Sequence, residues 1–214
     1  MQPPLRQWMA FLGVLIGLML AIVGYWGPWV DHAAAALVIA GFDLAEYVKF
    51  LPEVRAGSMP VIRELFYLAA PAAALCLALV LGNWQRHLPA WAWTALAALA
   101  LWLALIVAPP VDFIVRFADA TLRAEWGRQA ALAGVGFLGV AAALLWARRL
   151  ARWAAVSLFV LSAGTGTGVL LWQFFTVQPA IERVYNQPLA WGWGVWLMPL
   201  GFALAVVSAC WRAF

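Results

Sequence analysis

Charged residues are spaced so that six long stretches contain none: residues 7–30, 65–85, 88–111, 129–147, 153–181 and 184–211. Crossing a hydrocarbon layer of ~30 Å as a helix takes about 20 residues, and each stretch is about that long or longer. The pattern predicts an all-α integral membrane protein, a six-transmembrane-helix bundle with short outer interfacial helices. Its spans are expected at about 8–29, 61–84, 89–109, 129–147, 153–177 and 192–211. Short turns at 83–89 and 148–152 then alternate with longer connections at 31–60, 109–128 and 178–192. No linker-like composition or internal repeat divides residues 1–214, so a single membrane domain is expected.

Two of the longer connections carry their own pattern. Residues 33–40 are apolar but too short to span, which predicts an interfacial or re-entrant piece ended by Gly41. Asp43 followed by Glu46 reads as a capping box, with Phe42 and Tyr47 as a hydrophobic staple. Pro52 is expected to end that helix before Lys49 and Glu53 can pair, and Ser58 with Pro60 marks the entry to the second span. In the next connection, Asp112, Arg116, Asp119 and Arg123 would fall within a ~60° arc of one helix. That spacing predicts an outer amphipathic helix over 111–126 with a solvated charged face.

Composition agrees: 67% of residues are hydrophobic and 10% charged, too apolar to clothe a soluble surface. The side on which each charge falls adds orientation. One set of connections and ends holds Arg6, Arg86, Arg148, Arg149, Arg152 and Arg212 with no carboxylate. The other holds Lys49, Arg55, Arg63, Arg116, Arg123, Arg128 and Arg183 with all nine carboxylates. Arginine-rich short loops stay cytoplasmic, which predicts a multi-pass inner (plasma) membrane protein with both termini inside. The first apolar stretch reads as a retained span, since no small-x-small cleavage site closes it. The net charge of +4 comes from scattered loop arginines, so no nucleic-acid partner is expected.

Candidate chemistry is sparse. Residues 162–168, rich in Gly, Ser and Thr, lack the strand and Lys of a phosphate loop, and Gly164–Gly168 and Gly13–Gly17 read as helix-packing faces. His32 and His87 fall on opposite sides, which excludes a bis-His haem or a zinc site built on that pair. No cofactor and no metal are expected, and Cys76 and Cys210 read as packing residues. Tryptophans 8, 26, 29, 84, 91, 126, 146, 153, 191, 193 and 196 lie near span ends, as in an aromatic belt. Pro71 and Pro199 are expected to kink their spans. No ionisable residue sits in mid-span, where Gln173 and the hydroxyls of the fifth span are the notable polar groups, which argues against a self-sufficient ion-coupled carrier.

The wording of residues 26–32 (WGPWVDH), 41–46 (GFDLAE), 49–52 (KFLP) and 63–67 (RELFY) resembles uncharacterised bacterial multi-span membrane proteins associated with ABC-type transport systems. The resemblance covers roughly the first third of the chain and implies a membrane-protein partner, such as an ABC-type transporter, alongside the lipid bilayer. It assigns no functional residue. The preferred reading is a non-enzymatic subunit or accessory component of a membrane transport complex. The alternative is a membrane enzyme acting on a lipid-linked substrate at the outer leaflet. In both, the candidate outer-face recognition residues are Asp31, His32, Asp43, Glu46, Arg63 and Glu64. As an enzyme, a carboxylate or His32 would be the base and Arg63 the anchor of an anionic head group.

Overall fold

The computed structural model describes residues 4–32 and 37–213, with the side chains of His32, Leu37, Arg212 and Ala213 outside that description. Helix dominates the described residues. Among the described residues, four helices are long and apolar enough to cross a membrane: α1 (Leu5–Trp26), α7 (Ala120–Trp146, prolonged to Arg149 by a 3-10 turn), α8 (Arg152–Tyr185) and α9 (Gly194–Ala213). Two shorter apolar helices, α4 (Ala69–Trp84) and α5 (Ala90–Leu105), lie among them. At 16 residues each, they are about 24 Å long. The short helices α2 (Leu44–Tyr47), α3 (Pro52–Arg55) and α6 (Val111–Val115), and the strands β1 (Pro28–His32) and β2 (Leu37–Ala40), lie in the connections.

The six principal helices run alternately between two ends. At one end the start of α1 meets the close of α9, where Arg6 Nη2 donates to the Trp211 carbonyl at 3.1 Å. There Phe11 also stacks on Trp84, at the close of α4, with centroids 4.4 Å apart. At the other end the Tyr25 hydroxyl donates to the Phe66 carbonyl at 3.0 Å, and Arg183 pairs with Glu53 at 2.7 Å. The arginine-only connections collect at the first end and the carboxylates at the second, as the alternation of charge predicts.

Two packing devices hold the bundle. The first is the small-residue seam between α1 and α9. A Cβ on Gly17 would lie 2.5 Å from the Ala205 nitrogen, and one on Gly201 would lie 2.2 Å from the Ala21 nitrogen. The two backbones touch, as the Gly13–Gly17 spacing predicts, because small residues let helices approach where lipid gives no hydrophobic drive. The second is α4, with 13 of its 16 residues buried. Its alanines let α5, α7 and α8 pack around it, and Ser162 donates to the Ala72 carbonyl at 3.2 Å. Short and enclosed, α4 is the core around which the longer helices are arranged.

Several local expectations are corrected. Over Leu37–Ala40 the apolar piece after Asp31 takes the form of a strand, β2, antiparallel to β1. Positions 33–36 lie outside the described residues. Asp43 has helical angles and makes no side-chain cap, so the capping box does not form; the Glu46 carboxylate is drawn to cations instead. The amphipathic helix over 111–126 is broken. α6 ends at Val115, and Asp119 then caps α7 by accepting from the Thr121 and Leu122 amides at 2.8 and 3.4 Å. An N-cap residue has extended angles, so Asp119 interrupts the face that its spacing would have continued.

α8 runs through Pro179 to Tyr185 rather than ending near 177, and Asn186 closes it in the left-handed conformation at φ 51°. Pro71 falls in the first turn of α4, where a missing N–H costs nothing, rather than at a mid-span kink. Gly164 and Gly168 face open space, and Gly166 is the glycine of α8 that packs, with its Cβ position 2.6 Å from that of Ala72.

Candidate functional site

The carboxylate-bearing end is roofed by the segment between α1 and α4. Its apolar residues Trp29, Val30, Leu44, Ala45 and Val48 are fully buried, so the roof belongs to the core. Its outward sheet edge is met by residues 190–192. Asp31 N–H donates to the Ala190 carbonyl at 3.0 Å, and Gly192 N–H donates to the Trp29 carbonyl at 3.0 Å.

Within this roof the charges gather around Arg63, in the 3-10 turn Arg63–Tyr67 that leads into α4. The Arg63 side chain is 14% exposed. Its Nη1 lies 3.9 Å from Glu46 Oε1, and its Nε lies 3.8 Å from Glu64 Oε1. Its Nη2 donates to the Glu125 carbonyl at 3.2 Å and to Gln129 Oε1 at 3.5 Å. The guanidinium also lies 4.9 Å from the Trp126 ring centroid, a cation–π contact. Arg63 thereby ties the roof to α7. Glu46 completes the cluster, accepting from Lys49 and, at 3.0 Å, from the Tyr67 hydroxyl.

Burial pushes the Glu46 carboxyl up. Hydrogen bonds from Lys49 and Tyr67, with the charges of Lys49 and Arg63, outweigh it and hold the group below its ordinary value of 4.5. A carboxylate depressed in the folded state stabilises above its unfolded pKa, and that contribution fades as pH falls through the folded value. Thermal unfolding in detergent should therefore show stability falling as the solution is acidified below pH 4.5. Glu53, held low by its hydrogen bond from Arg183, contributes with the same sign. Glu46→Gln should make the acid limb shallower and cost less than about 1 kcal/mol at pH 7, because water screens a carboxylate that is 40% exposed. An unchanged acid limb in that variant would show that Glu46 is not held as described.

Of the six residues singled out by sequence, the structure brings Glu46, Arg63 and Glu64 together. Asp31 and Asp43 are exposed and, among the described residues, form no ion pair. His32 ends β1, and its side chain lies outside the described residues. Lys49, Tyr67, Trp126 and Gln129 join the cluster without having been singled out as site residues. Lys49 and Glu46, three apart, carried a signal in their helical spacing. The two residues from α7 carried none, since only the fold sets them beside Arg63. Gln173, fully buried on α8, accepts from the Ile62 N–H at 3.1 Å and so fixes the entry to that turn.

The cluster is an anchor in its chemistry. Each carboxylate oxygen of Glu46 faces a cation or the Tyr67 hydroxyl, an arrangement that lowers basicity. Among the described residues no three of His, Cys, Asp and Glu gather as metal ligands. Comparison with protein-family models, curated proteins and solved structures finds no match to this chain.

Proposed function

We propose that the chain is a non-enzymatic subunit of a multi-component membrane assembly, crossing the bilayer six times with its arginine-bearing end in the cytoplasm. The observation that carries this reading is the state of the carboxylates at the opposite end. Glu46 and Glu64 are engaged with Arg63, and Asp31 and Asp43 stand exposed on the roof and, among the described residues, form no ion pair. A lipid-processing enzyme would call for carboxylates converging on a cavity with at least one poised as a base. A docking subunit would instead need a rigid roof carrying charge outward. The segregated arginines support the orientation, and the resemblance noted in the sequence points to an ABC-type transport system as the assembly.

Affinity purification of the full chain in mild detergent tests this. A discrete membrane-protein partner should be retained, and Asp31→Lys with Asp43→Lys should release it while the subunit stays folded. Recovery only as a lone monodisperse chain, from cells and detergents that preserve other membrane complexes, would overturn the proposal.

A further inference from the structure

We infer that the arginine-bearing end of the bundle holds a binding site for an anionic phospholipid, in the cavity between α1 and α8. This cavity measures about 380 Å³ and is floored by α4. It is far larger than the ~30 Å³ share of one water and falls in the ~300–1,000 Å³ range of small-molecule sites. Gln7, Asn83 and Arg152 supply its polar lining, and Phe11, Val156 and Phe159 are among its apolar walls. That division matches an amphiphile with a head group at the polar lining and an acyl chain along the apolar walls.

Charge selects the sign of the head. Arg152 lines the cavity itself, and the connections at this end carry Arg86, Arg148 and Arg149 with no carboxylate. Arg152 is also the first residue of α8, whose cap Ala151 offers no side-chain acceptor to the opening N–H groups. A helix start adds partial positive charge beside an arginine that already lines the cavity. Asn83 donates one N–H to the Leu79 carbonyl at 3.0 Å, and among the described residues the second meets no acceptor, so it can serve a phosphate oxygen. An acyl chain covers the apolar lining in a way that a free phosphate ion cannot. A zwitterionic lipid fills the same space but gains less from the arginine.

The test is thermal unfolding of the purified full chain in detergent, with phosphatidylglycerol, phosphatidylcholine or inorganic phosphate added. Phosphatidylglycerol should raise the midpoint by about 5 °C, and the other two by much less. Arg152→Gln, on an exposed residue, should remove the difference between the two lipids. Val156→Trp should remove the phosphatidylglycerol effect by filling the chain path while leaving the arginine in place. In both variants the midpoint without added lipid shows that the fold is intact. Equal shifts from both lipids in the unaltered chain, an equal shift from phosphate alone, or retention of the effect in either folded variant would each overturn the proposal.

Discussion

Gly201→Val should separate α1 from α9 and leave little folded protein in detergent. A Cβ at this position would sit 2.2 Å from the Ala21 nitrogen and 2.6 Å from the Gly17 carbonyl oxygen. Both neighbours are backbone atoms of α1, so no side-chain rotation relieves the clash. Overpacking a core costs ~1–3 kcal/mol where side chains can yield, and more is expected where a whole helix must move. A loss of at least ~3 kcal/mol removes much of a total stability of ~5–15 kcal/mol. The opposite outcome is expected at Gly168, where a Cβ meets nothing. Gly168→Ala should leave stability unchanged or raise it by ~0.5–1 kcal/mol through backbone entropy alone. Thermal unfolding of the two variants side by side decides the matter, and a tolerated Gly201→Val would mean that the α1–α9 seam is looser than described.

These two glycines also mark how far the sequence could be read. Both lie in charge-free stretches, and the absence of charge was enough to predict helices there. Which glycine meets a partner depends on the rotation of each helix. Residues 13 and 17 disclosed it through their spacing, whereas 164 and 168 have the same spacing and face outward. The stripe at Asp112, Arg116, Asp119 and Arg123 failed for a related reason. Periodicity assumes one unbroken helix, and the Asp119 carboxylate found two backbone N–H groups to accept from at a new helix start. The ion cluster was half legible. Glu46, Arg63 and Glu64 were picked out as charges within one connection, but Trp126 and Gln129 come from α7 and only the folded chain brings them close. The hairpin is hard to read from sequence because β1 and β2 are only five and four residues long, and the apolar run of β2 does not distinguish strand from helix.

Trp29→Ala should detach the roof from the bundle while the helices beneath remain assembled. As one of the tryptophans near a predicted span end, Trp29 is expected from the sequence to lie in the aromatic belt, yet it is fully buried. It sits where the register of β1 shifts between Pro28 and Val30, an irregularity that re-aims a side chain relative to the ladder. The indole N–H donates to the Gly24 carbonyl at 3.0 Å, satisfying one of the carbonyls orphaned by the end of α1. Gly41 and Gly194 press against the ring, leaving no room for a Cβ, and Phe174 meets it edge-on at 5.2 Å. The indole thus joins α1, both ends of the hairpin, α8 and the start of α9. Truncating a buried Trp to Ala costs ~3–5 kcal/mol, and most of that loss should fall on the roof. Hydrogen exchange locates it: the amides of Asp31 and Gly192, bonded to the Ala190 and Trp29 carbonyls, should lose protection while those of α4 keep theirs. Trp29→Phe should fall between the two, keeping most of the ring but orphaning the Gly24 carbonyl, for ~1–3 kcal/mol. Trp191→Ala, at a residue 40% exposed, should cost far less. Full protection of Asp31 and Gly192 in Trp29→Ala would show that the hairpin and its surroundings hold the roof without the indole.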